Sequence, residues 1–142
     1  MWSVDDLYQD ILLDHATRPR NHCKLGRTTA QAEGNNPFCG DRCTVYLDIG
    51  DNIIKDIGFE GTGCAILMAS ASLMTLAVKG RTVLEALGVV EQFLALVTAE
   101  AVIEYDLDDL AALAGVRDYP GRIKCATLPW HALNAALKMP TA

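Results

Sequence analysis

The chain has 142 residues, is 51% hydrophobic and carries a formal net charge of −6 at pH 7. This length predicts one domain with one core over residues 1–142, and the hydrophobic fraction argues against disorder. The negative charge argues against a nucleic-acid partner, because phosphate binding needs a basic face. Residues 1–6 are acidic and lack the basic and apolar regions of a secretion signal. A cytoplasmic protein with reduced thiols is therefore expected.

The first half of the chain predicts one helix followed by strands. The helix can be capped by Ser3 and ends before Pro19. A short strand is predicted near residues 30–33, and two further strands at 43–49 and 53–59 are separated by a turn at 50–52. These segments predict a three-stranded antiparallel sheet. In its last strand, the side chains expected to alternate on one side are Ile53, Ile57 and Phe59.

The second half of the chain is predicted to be helical. One helix begins at Cys64 and ends at Gly80, and the next is capped by Thr82. A short helix is predicted at residues 106–114 and is closed by Gly115. Strands first and helices after predict an α+β fold, with the helices packed on one face of the sheet.

Two helical segments have unusual features, an uncharged stretch and an internal proline. Residues 61–78 carry no charge, but their serines, threonines and glycines favour a buried core helix over a membrane span. The last helix covers most of residues 125–138 and contains Pro129. Because proline is tolerated in the first helical turn, this helix either begins near Ala126 or is kinked.

Three of the five cysteines and one aspartate form a candidate metal site. Three thiolates and one carboxylate are a sufficient tetrahedral ligand set for a soft metal. Cys39 and Asp41 are two residues apart, so an extended backbone points both to one side, and Gly40 permits a tight bend. Cys64 stands at a helix start, where unpaired amides and the helix dipole favour a thiolate. Cys125 is the third thiol of this candidate site.

The neighbours of these residues shape the expected chemistry. Gly61 and Gly63 let the backbone approach the site closely, and Arg122 and Lys124 should lower the pKa of Cys125. A carboxylate is a harder and weaker partner for zinc than a fourth thiolate, so the metal is held while one ligand can leave. A departing Cys39 would be a nucleophile able to attack a persulfide.

Three segments resemble the signatures of a known superfamily. Residues 36–41 (NPFCGD), 61–66 (GTGCAI) and 122–128 (RIKCATL) are similar to those of NifU/IscU-like iron–sulfur cluster assembly proteins, as are residues 19–21 and 68–72. The chain resembles the SufU branch in particular. The interval between Cys64 and Cys125 is long, and Lys124 stands where IscU-type scaffolds have a histidine ligand.

The resemblance implies a NifU/IscU-like fold and a zinc site formed by Cys39, Asp41, Cys64 and Cys125. It implies that Cys39 accepts persulfide sulfur from a SufS-type cysteine desulfurase when a desulfurase histidine replaces it on the metal. Asp41 would tune ligand lability, and Arg122 would orient the exchange or contact the desulfurase. The protein would then be a sulfurtransferase-like partner that serves downstream SUF assembly proteins, rather than a stand-alone enzyme.

Two alternatives remain open at this point. The chain could be a scaffold on which a [2Fe-2S] cluster assembles, since thiolates bind zinc and iron alike. It could also be an inert zinc-stabilised interaction module. Cys43 is interpreted as a small strand residue rather than a second sulfur acceptor, and Cys23 as a loop residue. His15 lies late in the first helix, where its charged form would suit the helix dipole.

Overall fold

The computed structural model describes residues 4–37, 40–98 and 108–139, with backbone only for residues 4–8 and 108. Three strands form an antiparallel sheet in the order β1 (Ala30–Asn36), β2 (Asp41–Gly50) and β3 (Ile53–Thr62). All three strands are longer than predicted. The pairing of β1 with β2 extends to residue 36 opposite residue 41, and the pairing of β2 with β3 extends to residue 42 opposite residue 62. The predicted three-stranded antiparallel sheet is confirmed.

A register shift in the second hairpin corrects one prediction. The pairing of β2 with β3 is irregular between Asp48 and Ile49, so Ile49 pairs with Ile54. Ile54 is therefore fully buried, whereas Ile53 is 38% exposed. The expectation that Ile53 shares a face with the buried Ile57 was wrong, since a bulge moves every side chain beyond it by one position.

In the part of the chain that the structure describes, four α-helices and one 3₁₀ helix accompany the sheet: α1 (Val4–Thr17), α2 (Ala65–Val78), α3 (Val83–Thr98), the 3₁₀ helix (Asp108–Asp118) and α4 (Pro120–Leu137). The 3₁₀ helix runs through Gly115, so the predicted end at that glycine was wrong. The predicted start at residue 106 lies outside the described residues. Among the described residues, no helix is both long and apolar enough to cross a membrane.

The start of α4 differs most from the prediction. The helix begins at Pro120 and continues through Pro129, so the first of the two predicted alternatives, a start near Ala126, was wrong. A proline at the first helical position costs nothing, because its missing amide would have no partner there, and its fixed φ suits the helix. As a consequence, Cys125 lies inside the helix rather than before it.

The core lies between the sheet and the helices on one of its faces. α4 packs against β1 and β2, while α2 packs against β3 and α4. The rings of Phe93 in α3 and Trp130 in α4 stack with centroids 4.2 Å apart. The largest fully buried side chains are Trp130, Phe59, Phe93, Leu47, Ile54, Ile57, Leu67, Met74, Leu113 and Leu133. This arrangement confirms the α+β fold class.

α1 is attached to α2 through a buried polar contact. His15 is only 4% exposed, and a hydrogen bond of 2.7 Å joins its Nδ1 to Ser72 Oγ. Burial is the main cause that lowers the pKa of His15, and the charge of Arg20 lowers it further. The predicted position of His15 in the last turn of α1 is confirmed, but its burial disfavours the charged form that would suit the helix dipole.

Candidate metal centre

Three of the four predicted ligand residues come together in the fold. One ligand atom each from Asp41, Cys64 and Cys125 lies within 4.8 Å of the other two. The residues come from three separate elements, since Asp41 begins β2, Cys64 precedes α2, and Cys125 lies in α4. Cys39 lies outside the described residues, so its assignment stays a prediction.

Asp41 is buried on the core side of the sheet. Asp41, Cys43 and Val45 are buried while Arg42 is exposed, so Asp41 belongs to the face that the helices cover. The preceding Gly40 has a φ of +77°, a left-handed conformation that suits glycine, and its amide donates to Asn36 O at 2.9 Å. This turn ends β1 and places the carboxylate at the start of β2.

The backbone of Gly63 lies against the Asp41 carboxylate. A Cβ atom at position 63 would lie 2.7 Å from Asp41 Oδ1 and 3.0 Å from its Cγ. Real Cβ atoms essentially never come that close to another heavy atom. The predicted close approach of the backbone at Gly63 therefore exists, and the partner it accommodates is the carboxylate of a candidate ligand.

Cys64 occupies the N-cap position of α2. Its φ of −74° and ψ of 171° are extended, and its side chain does not cap the helix. The residue is partly exposed, so its thiol is accessible at the N-terminal end of α2. The predicted helix-start position of Cys64 is confirmed.

Cys125 is the most enclosed thiol of the cluster. It is 7% exposed, and burial raises the pKa of its thiol to about 12, with further increases from hydrogen bonds to Asp41 and Cys64. The expectation that Arg122 and Lys124 would lower this pKa was wrong, because burial and a neighbouring carboxylate outweigh exposed cations. Since metals bind thiolates, metal binding at Cys125 would release a proton.

Arg122 is the exposed cation beside the cluster. Its hydrogen bond to Cys125 is the main cause that raises the pKa of Arg122, followed by the charge of Cys64 and further interactions with both thiols. Arg122 also lines an open cavity of about 470 Å³ with Ile66 and Tyr119. The guanidinium therefore stands between the two thiols and a surface accessible to a partner.

The two other described cysteines lie apart from the cluster. Cys43 is fully buried in β2, and burial raises the pKa of its thiol to about 12, as expected of a small core residue. Cys23 is exposed, and its carbonyl oxygen occupies the space that a side chain at Gly58 would need. Neither joins the cluster formed by Asp41, Cys64 and Cys125.

Sequence reasoning missed Ser70, a buried residue that links the elements carrying Cys64 and Cys125. It is fully buried in α2, and its Oγ donates to the carbonyl oxygen of Ala126 at 2.6 Å. The available signal was a hydroxyl in an uncharged core helix, because a buried polar group must find a partner.

Known proteins resemble this chain over nearly its whole length. Residues 7–126 match the family described as NifU-like N terminal domain. The Bacillus subtilis protein named zinc-dependent sulfurtransferase SufU is 42% identical over 133 residues, covering 93% of this chain and 90% of the relative. A Streptococcus pyogenes protein named iron-sulfur cluster assembly scaffold protein IscU is 40% identical, covering 95% and 85%.

Solved structures give the same result for the fold. A putative scaffold protein for the SUF system from Fervidobacterium islandicum has a TM-score of 0.83 at 32% identity, covering 96% of this chain and all of that chain. A NifU-like N-terminal protein from Brucella abortus has a TM-score of 0.84 at 26% identity, covering 95% and 94%. The sequence match and the shared fold agree, and the chain belongs to the family of NifU-like N-terminal domains.

Proposed function

We propose that this protein is a zinc-dependent sulfur acceptor in iron–sulfur cluster assembly, which takes persulfide sulfur from a SufS-type cysteine desulfurase. The observation that carries the proposal is the convergence of Asp41, Cys64 and Cys125 within 4.8 Å. Two thiols and a carboxylate from three separate elements are a donor set that zinc accepts in tetrahedral sites. The residues present therefore fit this metal.

Cys39 is the fourth ligand in this proposal. It is two residues from Asp41 in the chain, so their Cα atoms can be separated by about 7 Å at most. A bound zinc ion would keep the Cys39 sulfur in the thiolate form, the form in which cysteine is nucleophilic. Asp41 is the hard oxygen donor of the set. With a carboxylate in place of a fourth thiolate, the four ligands together would bind zinc less tightly than four thiolates would.

The transfer itself is a thiol–disulfide type of exchange. The Cys39 thiolate attacks the outer sulfur of a persulfide on the desulfurase cysteine, and a new S–S bond forms on Cys39. The original S–S bond breaks, and its electron pair leaves with the desulfurase sulfur as a thiolate. No net oxidation or reduction occurs, and the desulfurase is returned to its starting state.

Arg122 is assigned the role of guiding this exchange. Its hydrogen bond to Cys125 and its exposure place a fixed positive charge at the rim of the cluster. A cation there would attract an incoming thiolate or persulfide anion and favour its approach. We further infer that the protein acts as one domain over residues 1–142 in the cytoplasm and passes sulfur to downstream SUF assembly proteins.

The relatives support two related activities. The Bacillus subtilis relative is named a zinc-dependent sulfurtransferase, which favours the sulfur acceptor. Others are named IscU scaffold proteins, and this is the observation that keeps [2Fe-2S] assembly as the second candidate. Lys124 favours the first, because the histidine expected of IscU-type scaffolds is replaced by a residue that binds metals poorly.

Metal content and desulfurase turnover test the proposal together. Protein purified without added iron should contain one zinc and show no visible absorbance, and it should accelerate a SufS-type desulfurase. Cys39→Ala should abolish the acceleration, while Cys23→Ala, which changes a described cysteine outside the cluster, should leave it intact. Stoichiometric iron and sulfide would overturn the proposal in favour of the scaffold. Desulfurase turnover that is the same with wild type and with Cys39→Ala would favour the inert module.

A further inference from the structure

Ser70 connects the two helices that carry the thiols of the cluster. Its hydroxyl donates to the carbonyl oxygen of Ala126 at 2.6 Å, and it accepts a hydrogen bond from Trp130 Nε1 at 3.0 Å. Ser70 and Trp130 are both fully buried, so water cannot replace either bond. Because the indole N–H uses one lone pair of the hydroxyl oxygen, the hydroxyl proton is directed to Ala126.

Next to the carbonyl that receives this bond, α4 lacks one of its own hydrogen bonds. Pro129 has no amide proton, so the carbonyl of Cys125, four residues earlier, lacks its usual donor within the helix. The proline ring also crowds the carbonyl of Cys125. One hydrogen bond of the helix is thus missing at the candidate ligand Cys125, and Ser70 supplies a bond from α2 to the next carbonyl, that of Ala126.

The indole that fixes Ser70 is itself held in place. Trp130 stacks on Phe93 of α3 with nearly parallel rings, 10° from coplanar. Ser70, Trp130 and Phe93 therefore form a continuous chain of contacts from α2 through α4 to α3. Cys64 occupies the N-cap position of the helix that contains Ser70, and Cys125 directly precedes Ala126.

We propose that Ser70 is a positioning residue for the metal centre, which fixes the separation of the Cys64 and Cys125 thiols. This inference rests on the proposed metal site but not on sulfur transfer. Hydrogen-bonding residues one step removed from a metal typically change its affinity by about 10–100-fold when they are removed. A loss of the Ser70 hydroxyl lets the segment around Cys125 move relative to α2, so the ligand set is less well organised.

Ser72 provides a matched control in the same helix. It is also fully buried and also has two partners, since Arg20 N donates to its Oγ at 2.8 Å and His15 Nδ1 lies 2.7 Å away. These partners belong to α1 and the loop that follows it, and neither carries a candidate ligand. Ser72→Ala thus removes an equivalent buried hydroxyl from α2 without touching the link to α4.

The test compares Ser70→Ala and Ser72→Ala by three measurements. Urea unfolding of the metal-free proteins should show that both variants lose stability. Competition with a chelator should show about a tenfold or greater loss of zinc affinity in Ser70→Ala, with Ser72→Ala near wild type. With Co²⁺ as probe, the thiolate-to-cobalt and ligand-field bands should shift in Ser70→Ala alone, because they report ligand geometry.

A second variant covers the case in which Ser70→Ala does not fold. Trp130→Phe removes the indole donor but keeps the Ser70 hydroxyl, so it should shift the cobalt bands in the same direction by a smaller amount. Unchanged affinity and bands in Ser70→Ala, or in Trp130→Phe if only that variant folds, would overturn the inference. An equal affinity loss in Ser72→Ala would do the same. A wild-type protein without a thiolate band would overturn the metal site itself.

Discussion

At the scale of single residues, the candidate centre depends on the absence of a side chain at position 63. The Asp41 carboxylate occupies the space that a Cβ of residue 63 would need, with Oδ1 at 2.7 Å from that position. The carboxylate is buried at 6% exposure, so it has little room to retreat. Gly63 therefore acts on the centre through the ligand it accommodates.

Gly63→Ala should weaken metal binding without unfolding the protein. The added methyl group pushes the Asp41 carboxylate away from the two thiols, and we expect a loss of zinc affinity of about tenfold or more, as for other changes just outside a metal shell. Gly115→Ala is the control, because a Cβ there meets no atom within 4 Å. Chelator competition on both variants checks this. Equal zinc affinities in the two variants would show that Asp41 is not a ligand.

At the scale of elements, the docking of α1 on α2 buries a histidine whose charged form is disfavoured. Arg20 N donates to Ser72 Oγ, which leaves the Ser72 hydroxyl proton free to be donated to His15 Nδ1. A protonated imidazole would donate to Ser72 Oγ instead, so the charged form is disfavoured mainly by burial and not by this bond. Burial lowers the pKa of His15 foremost and Arg20 lowers it further, while Asp14 and Asp109 raise it less.

Stability of the metal-free protein should therefore fall as the pH falls below about 6.5, the pKa of an unperturbed histidine. Below that value the unfolded chain takes up a proton at His15 that the folded chain resists, so protonation favours unfolding. Above it both states are neutral and the contribution of His15 is constant. Urea unfolding of wild type and His15→Asn between pH 5 and 8, with chelator present, measures this. A wild-type slope no steeper than that of His15→Asn would contradict the prediction.

The elements also show how far local sequence signals reach. The hairpin and the capping of α3 by Thr82 can both be predicted from residues that are close in sequence. At the start of α3, Thr82 N donates to Glu85 Oε1 at 2.9 Å, and Glu85 N donates to Thr82 Oγ1 at 3.1 Å. The start of α4 cannot be predicted in this way. Pro129 indicates a helix start or a kink, yet the helix continues through it, packed against β1, β2 and α2, and such tertiary packing is not visible in the local sequence.

The candidate site shows the same division between local and tertiary information. Asp41, Cys64 and Cys125 are identified from residue type, from their predicted loop or helix-start positions, and from the resemblance of their segments to a known superfamily. The raised pKa of Cys125 could not be predicted, because the burial that causes it comes from packing between α4 and the rest of the core. Sequence therefore identifies donors better than it predicts their protonation.

At the scale of the whole molecule, a metal ion would join parts of the chain that are far apart in sequence. Asp41 and Cys125 lie 84 residues apart and belong to the sheet and to the last helix. Metal that binds only the folded protein stabilises it by mass action. The same ion would hold β2, α2 and α4 together at one end, where the described contacts to α4 include the Ser70 bond.

Removal of zinc should lower the melting temperature of the whole protein. At a free zinc concentration of about 1,000 times Kd, the stabilisation is about 4 kcal/mol. For a protein of this size each kcal/mol corresponds to about 2–4 °C, so a chelator should lower Tm by about 8–16 °C. Thermal unfolding with and without chelator measures this shift. In Cys64→Ala the shift should nearly vanish, because the remaining donors bind the metal weakly. If the chelator lowered the Tm of Cys64→Ala by the full amount, the stabilising metal would lie elsewhere, because a metal bound through Cys64 cannot stabilise a variant that lacks this ligand.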